Sequence, residues 1–325
     1  MEAISHKVDF MLTVLLATRN RAKILRDVLE NFCNLQSPPS GWKLVVIDNG
    51  STDDTPRVLA SFRDRLPIQS AAEPMPGKNA ALNAGLELLE GDLAVFTDDD
   101  VFPRSDWLVQ LRRAAEANPD YTMFGGAIRP RWEAPPPRWV NWIELGPIFT
   151  ITDPGLKEGP LNGLLVTLIQ GPNMAIRSSV FEKGTRLDTS IGPNGPDYPM
   201  GAETELVLRL GREGYKGWHV PAAVVEHLVR KEQLEEDWVL QRGIRWGRGC
   251  HRLYPNVKLW GSIPRHLFRD IPKEMLSVLA ARLTFRQEAL FCARWRLNIL
   301  RGKWIESRHI AREKMHMSSS QALSR

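Results

Sequence analysis

Between Val8 and Thr97 the hydrophobic and polar positions alternate in blocks of two kinds. The apolar runs MLTVLLAT, WKLVVID and LAVFT are too short for helices and read as buried strands. RAKILRDVLENF, the stretch from about Asp54 to Arg63, and NAALNAGLELLE read as amphipathic helices. A further short strand is expected near Ile68. Such alternation predicts βαβ units around a parallel sheet. Functional groups in such sheets collect beyond the carboxyl ends of the strands. Three polar clusters fall there: Thr18-Arg19-Asn20, Asp48-Asn49-Gly50-Ser51 and Asp98-Asp99-Asp100.

Further on, a helix is expected near Trp107–Ala117 and a strand around Met123–Ile128. Residues 129–171 are rich in Pro, Gly and Trp, including RPRWEAPPPRWVNW, and read as a long loop or small insert with no sheet element. GPNMAIR then suggests a short strand, ETELVLRLGREG a helix ending at Gly214, and GWHVPAAVVEH short strands ending at His227. The expected fold class is α/β, a mostly parallel central sheet flanked by helices over residues 1–230. A helical C-terminal extension over 231–325 follows it.

Composition adds a charge asymmetry to this picture. The 325 residues carry a net charge of +5, but residues 231–325 hold 19 Lys or Arg against 9 Asp or Glu. The first 230 residues are therefore mildly acidic and the extension basic. Leu276, Leu279, Leu283, Leu290, Leu297 and Leu300 recur there at helical spacing, amid Arg282, Arg286, Arg294 and Arg301. A basic amphipathic helix suits either a membrane surface or packing on the catalytic domain. Cys33, Cys250 and Cys292 are odd in number and scattered, which fits a reducing compartment. The first residues lack a basic start and a small-residue cleavage site, so a first strand is expected there and not a signal peptide. No run of about 18 apolar residues suggests a spanning helix. The expected place is the cytoplasm, with peripheral contact at the cytoplasmic face of a membrane.

The candidate chemistry lies in the polar clusters. Asp98 and Asp100 form a D-x-D at a strand end, where a turn lets both carboxylates reach one Mg²⁺ or Mn²⁺ ion; a solvated turn would carry the same residues. Asp48 is placed to accept hydrogen bonds from a base or ribose, while Ser51, Thr52 or Asp53 can cap the helix that follows. Gly77 and Lys78 open a helix whose N-terminus favours an anion such as a diphosphate. Glu203 and Glu205 sit at the start of another helix. One of them, facing a cleft, could act as general base. His227 gains interest only if the fold brings it to Asp100.

Taken in order, A-T-R-N-R, V-V-I-D-N-G-S-T-D, G-K-N-A-A-L-N-A-G, T-D-D-D, G-P-N-M-A-I-R, E-T-E-L-V-L-R-L and E-H resemble the family 2 glycosyltransferases over roughly residues 10–230. That resemblance implies the GT-A fold and an inverting enzyme that uses a nucleoside-diphosphate sugar. It implies that Thr18, Arg19, Asn20 and Asp48 hold the nucleotide, that Lys78 and Asn83 line its site, and that Asp98 approaches the ribose or the metal. Asp100 and His227 would bind the divalent metal. Where relatives often read G-E-D-T-E-L, with the aspartate as base, this chain reads Gly201-Ala202-Glu203-Thr204-Glu205-Leu206. Glu203 therefore stands in the aspartate's place as the implied base, with Glu205 in reserve.

The partners implied are a nucleoside-diphosphate sugar donor and a saccharide or lipid-linked acceptor. Trp132, Trp139 and Trp142, in the 129–171 insert, offer broad apolar faces suited to sugar rings on the acceptor side. Two other classes compete. A nucleotidyltransferase that makes nucleotide sugars would begin with a Gly-rich, basic loop, which ATRNRAKIL lacks. A nucleic-acid binder could use the basic extension, but no zinc-finger spacing or RNA-binding aromatic motif supports it.

Overall fold

The computed structural model describes residues 11–142, 146–195, 197–254 and 257–323. The first ten residues of the chain and the Trp142 side chain lie outside the described set. The chain divides into two compact units. One takes in the chain up to Glu133, Phe149–Thr189 and Ala202–Val229; the other takes in Ala134–Ile148, Ser190–Gly201 and the chain from Arg230 onward.

The first unit is built on one sheet. Its strands are β1 (Leu12–Thr18), β2 (Trp42–Asp48), β3 (Ile68–Ala72), β4 (Leu93–Asp98), β5 (Val101–Pro103), β6 (Met123–Trp132), β7 (Gly159–Leu161), β8 (Met174–Arg177) and β9 (Gly217–Val229). They lie in the order β3-β2-β1-β4-β8-β6-β9-β5, with β7 paired to β9. The pairs β3-β2, β2-β1, β1-β4 and β6-β9 are parallel, and β8, β5 and β7 run antiparallel to their neighbours. The sheet is thus mostly parallel. Helices α1 (Ala22–Phe32), α2 (Thr55–Ser61), α3 (Lys78–Leu86), α4 (Trp107–Ala117) and α5 (Ala202–Arg212) accompany it.

The central strands are apolar along their length because side chains on both faces are covered. Leu12, Val14, Leu15 and Leu16 of β1 and Leu93, Ala94 and Val95 of β4 have no exposed surface. Helix α1 buries Leu25, Val28, Leu29 and Phe32, the three- and four-residue spacing of one helical face. Those side chains join Leu12, Val14, Leu16 and Trp107 in the main core.

Two expectations fail in the 129–171 segment and beyond it. The strand read as ending at Ile128 continues to Trp132, with Pro130 registered opposite His227 of β9. Gly159–Leu161 adds β7 to β9, and Thr152 bridges Ile128. The segment therefore contributes to the sheet after all. Its Pro and Trp content suggested loop because a proline removes one ladder donor, yet a strand tolerates that loss where the partner is not called on at that position. GWHVPAAVVEH likewise forms one long strand and not several short ones, with an irregularity between Gly126 and Ala127 of its partner β6.

The second unit is helical, with α6 (Glu236–Leu253), α7 (Leu267–Leu283) and α8 (Gln287–Leu323). Helices α6 and α8 meet backbone to backbone: a Cβ at Gly247 would overlap the Ile299 carbonyl oxygen. A fully buried Glu306 on α8 joins Arg248, at 2.6 Å, and Arg252, both on α6. Arg252 also donates to Ser190 Oγ at 2.9 Å, so the same network anchors the 190–201 segment to α6. The six leucines expected on one helical face are divided. Leu276, Leu279 and Leu283 lie on α7 and are exposed, whereas Leu290, Leu297 and Leu300 lie on α8 and are half-buried. A turn at Thr284–Arg286, with Phe285 at φ 54°, breaks the single helix that the spacing suggested. Trp139 also departs from expectation. It is 5% exposed and stacks on Phe291 at 5.3 Å, so it packs the interior and is not a platform for a sugar.

Candidate active site

Register places the three polar clusters on one rim. Thr18 of β1 pairs with Asp48 of β2, and Ala17 pairs with Asp98 of β4. The loops behind these strands are tied to one another. Asn20, at φ 52°, donates its backbone N–H to Ser51 Oγ at 2.9 Å, and its Oδ1 accepts from the Thr52 N–H at 2.7 Å. Asp48 Oδ1 accepts from the Ser51 N–H at 2.9 Å. Asp53 takes the N–H of Ala22 and of Thr55, each at 3.0 Å, which joins the starts of α1 and α2. Arg19 is exposed at the tip of the first loop. Asn49 closes the rim on its far side, holding the carbonyls of Glu73 and Met75 and accepting from the Gly77 N–H at 2.8 Å.

Helix α3 begins at Lys78, directly over this rim. Lys78 Nζ lies 2.6 Å from Asp98 Oδ1 and 2.7 Å from Glu203 Oε1. Burial alone would push the lysine's pKa down, but the two carboxylates outweigh it and hold the ammonium above its ordinary value. Burial pushes the Asp98 carboxyl up, against the attraction of Lys78. Glu203 reaches this position from the first turn of α5 because Gly171 leaves room. A Cβ on Gly171 would lie 2.5 Å from Glu203 Oε1. Glu205, two positions on, turns away and forms a two-point ion pair with Arg209, at 2.9 and 3.0 Å.

Asp100 and His227 meet across two paired strands. Val101 of β5 is registered opposite His227 of β9, and the Leu228 N–H donates to the Asp100 carbonyl at 2.9 Å. His227 Nε2 lies 3.2 Å from Asp100 Oδ1. Its Nδ1 is 2.6 Å from the Phe149 carbonyl oxygen, which can only accept, so Nδ1 carries the proton. Burial opposes protonation of this imidazole, but the Asp100 carboxylate prevails and raises its pKa. Between the two carboxylates of the D-x-D, Asp99 accepts from Thr18 Oγ1 at 2.7 Å. Burial, then the charge of Asp100, pushes the Asp99 carboxyl up to about 7.

One donor atom each from Asp98, Asp100 and His227 lie within 4.8 Å of one another. Two carboxylate oxygens and an imidazole nitrogen suit Mn²⁺ or Mg²⁺. The His227 ring is oriented for that use, since its second nitrogen is fixed by a carbonyl while Nε2 faces the carboxylates. The residues present therefore fit a divalent cation.

Of the ten residues singled out from sequence, Lys78, Asp98, Asp100, Glu203 and His227 form one contiguous cluster. Thr18 joins it through Asp99, and Asp48, Arg19 and Asn20 occupy the adjoining loops. Asn83 lies further along α3. Both ends of its amide engage the Leu187 backbone at 2.9 Å, which fastens α3 to the chain ahead of α5. Two residues escaped the sequence reading. Arg21, the last residue of A-T-R-N-R, places Nη1 3.7 Å from Asp100 Oδ2. Asn173 of G-P-N-M-A-I-R is fully buried and bonds the carbonyls of Ala127 and Ala223 and the Trp107 indole. Both lay inside quoted motifs; the signal for each was a polar residue amid neighbours that did not require one.

A sequence profile of the family described as "Glycosyl transferase family 2" matches residues 13–185. The chain is 26% identical over 223 residues to a glucosyl-dolichyl phosphate glucuronosyltransferase of Haloferax volcanii, covering 66% of this chain and 69% of that protein. It is 32% identical over 103 residues to a beta-monoglucosyldiacylglycerol synthase of Nostoc sp., of which it spans only 22%. Among solved structures it resembles the mannosyltransferase PcManGT from Pyrobaculum calidifontis in complex with GDP-Man and Mn²⁺, with a TM-score of 0.59, 18% identity, and 90% and 85% of the two chains covered. It also resembles S. aureus TarS 1-349 in complex with UDP-GlcNAc, with a TM-score of 0.52, 15% identity, and 89% and 90% covered.

Proposed function

The chain belongs to glycosyl transferase family 2 and has the GT-A fold, and on that premise we propose that it moves a sugar from a nucleoside-diphosphate donor to a hydroxyl group, with inversion at the anomeric carbon. The observation that carries this reading is the meeting of Lys78, Asp98 and Glu203 beside Asp100 and His227, at the carboxyl edge of parallel strands. The donor nucleotide lies against the Thr18–Asn20 loop and Asp48, with residues 1–230 forming the transfer domain and 129–171 its acceptor side. The acceptor is a saccharide or a lipid-linked glycan, in envelope or polysaccharide assembly at the cytoplasmic face of a membrane. The named glycan and lipid activities of the relatives support that class.

The reaction is one displacement. The acceptor oxygen forms a bond to the anomeric carbon from the face opposite the diphosphate, and the bond from that carbon to the phosphate oxygen breaks. The acceptor proton passes to Glu203, the general base. Glu205 is set aside because its carboxylate turns to Arg209, whereas that of Glu203 meets Lys78 beside Asp98. Lys78 fixes the direction in which Glu203 points and supplies positive charge near the departing diphosphate. Asp98, Asp100 and His227 would hold a divalent cation, which when bound supplies Lewis-acid stabilisation of the leaving group. Asp99, bonded to Thr18, keeps the two flanking aspartates in place.

The test is incubation of the purified chain with Mn²⁺ and a panel of nucleotide sugars, with a lipid or saccharide acceptor pool. Release of nucleoside diphosphate together with a glycosylated product of inverted anomeric configuration is expected. Release of pyrophosphate from sugar phosphate and nucleoside triphosphate would instead assign the chain to nucleotidyl transfer.

A further inference from the structure

Helix α7 carries an apolar face that is largely exposed, although Phe268 at its start meets the rings of Trp260 at 5.3 Å and Trp304 at 5.9 Å. Leu276, Leu279, Leu283 and Met275 are each more than half exposed, and Phe268 is 43% exposed. At about 100° per residue, Phe268, Pro272, Met275, Leu276, Leu279 and Leu283 fall within one stripe about 100° wide. The face that packs, with Leu267 and Ala281, points elsewhere. Phe285, just past the helix end, is 91% exposed, and Trp260, which meets Phe268, is 69% exposed. A monomeric protein in water seldom leaves such a contiguous apolar patch uncovered.

Charge says what covers it. Between Lys258 and Arg286 the chain has six Lys or Arg and two carboxylates. Both carboxylates are already satisfied within the unit, Asp270 by Arg269 at 2.8 Å and Glu274 by Arg296 at 3.0 Å. Arg269 and Lys273 border the stripe on one side and Arg282 on the other, all exposed. Long basic side chains at the margins of an apolar face can reach up to phosphates while their stems stay in the apolar layer. Arg282 also lines a cavity of about 260 Å³ with Gln241, Arg294, Asn298 and Asp237. Arg294 there lies 3.6 Å from Asp237. No helix among the described residues is long and apolar enough to cross a membrane, so the arrangement suits a helix lying in the interface plane.

We propose that the outward stripe of α7, edged by Arg269, Lys273, Arg282 and Arg286, docks the chain on an anionic lipid bilayer. This deepens the membrane contact named in the functional reading and specifies the surface that makes it. The docking does not depend on the transfer chemistry, and the two can fail separately.

The experiment is co-sedimentation of the full chain with vesicles of phosphatidylcholine alone and of phosphatidylcholine mixed with phosphatidylglycerol. The wild-type chain partitions onto the anionic vesicles and stays in solution with the neutral ones, and added salt weakens the binding. Replacing Leu279→Ser together with Leu283→Ser lowers partitioning about tenfold for each leucine removed. Arg282→Gln with Arg286→Gln lowers it about fivefold per charge. Circular dichroism and nucleotide-sugar turnover on a water-soluble acceptor remain at wild-type level in both variants, which separates lost docking from lost fold. The proposal is overturned if the wild-type chain ignores anionic vesicles, or if the leucine variant binds them as well as wild type. It is equally overturned if the chain is a dimer in solution that the leucine variant splits, since the stripe would then be a contact between copies.

Discussion

Lys78 and Glu203 are 125 positions apart in the chain, yet the lysine Nζ lies 2.7 Å from the glutamate Oε1. The same nitrogen holds Asp98 at 2.6 Å, so one ammonium bridges two largely buried carboxylates. The two ends of this arrangement respond differently to substitution. Glu203→Gln leaves Lys78 paired with Asp98 and should keep the fold and donor affinity, while lowering single-turnover transfer about 10²–10⁴-fold. Lys78→Gln removes the positive charge between the two carboxylates and should cost about 3–5 kcal/mol of stability. Thermal unfolding alongside a transfer assay distinguishes the two: the first variant melts like wild type and the second does not.

The Asp98, Asp100 and His227 set makes a prediction that needs no turnover. Mn²⁺ added to the chelator-treated chain should raise the melting temperature, because an ion that binds only the folded state stabilises it. Asp100→Asn and His227→Gln should abolish that rise. Transfer by the wild-type chain should vanish on chelation and return with Mn²⁺. A melting temperature indifferent to divalent ions would remove the cation from the site.

Gly171 gives a positional test of the base. An alanine there would bring a methyl group within 2.5 Å of Glu203 Oε1, closer than real side chains approach. Gly171→Ala should therefore displace Glu203 and lower kcat while donor affinity holds. The overpacking should cost about 1–3 kcal/mol in unfolding free energy. Equal kcat in the two proteins would mean that Glu203 need not occupy its present place.

His219 sets a pH dependence of stability. It is 3% exposed, its Nε2 has no hydrogen-bond partner among the described residues, and burial pushes its pKa below the ordinary value near 6.5. Below that value the unfolded chain takes up a proton that the folded chain resists. Stability is thus complete above about pH 6.5 and falls as the pH drops toward the depressed folded-state value. His251 and His266 shift in the same direction. Asp99 and His227, whose pKa values are raised, contribute with the opposite sign, so the check is a difference: in urea denaturation His219→Gln should lose less stability than wild type as the pH falls through this range.

Much of this architecture was legible along the chain. The β1, β2 and β4 runs announced themselves because strands buried on both faces must be apolar throughout, and the polar groups that interrupt them fall at their ends. The juxtaposition of Asp100 with His227 was harder, since it depends on a strand pairing between residues far apart in sequence. The bond between Asn83 and the Leu187 backbone was not legible, because an amide on a helix reads equally well as a ligand contact or as a clamp on a passing backbone. The split of the leucine face was hidden because periodicity runs across a three-residue turn without losing phase. Arg21 went unremarked because its partner, Asp100, is remote in the chain.

The oxygen that orients His227 belongs to the main chain of Phe149 and not to its side chain. An alanine scan through this segment will pass over the contact without registering it, since every substitution at position 149 except one that shifts the backbone retains the same carbonyl. Drift in the identity of residue 149 is consequently no guide to its importance. Deletions or proline insertions beside it are the changes that would expose how much the imidazole owes to its neighbour.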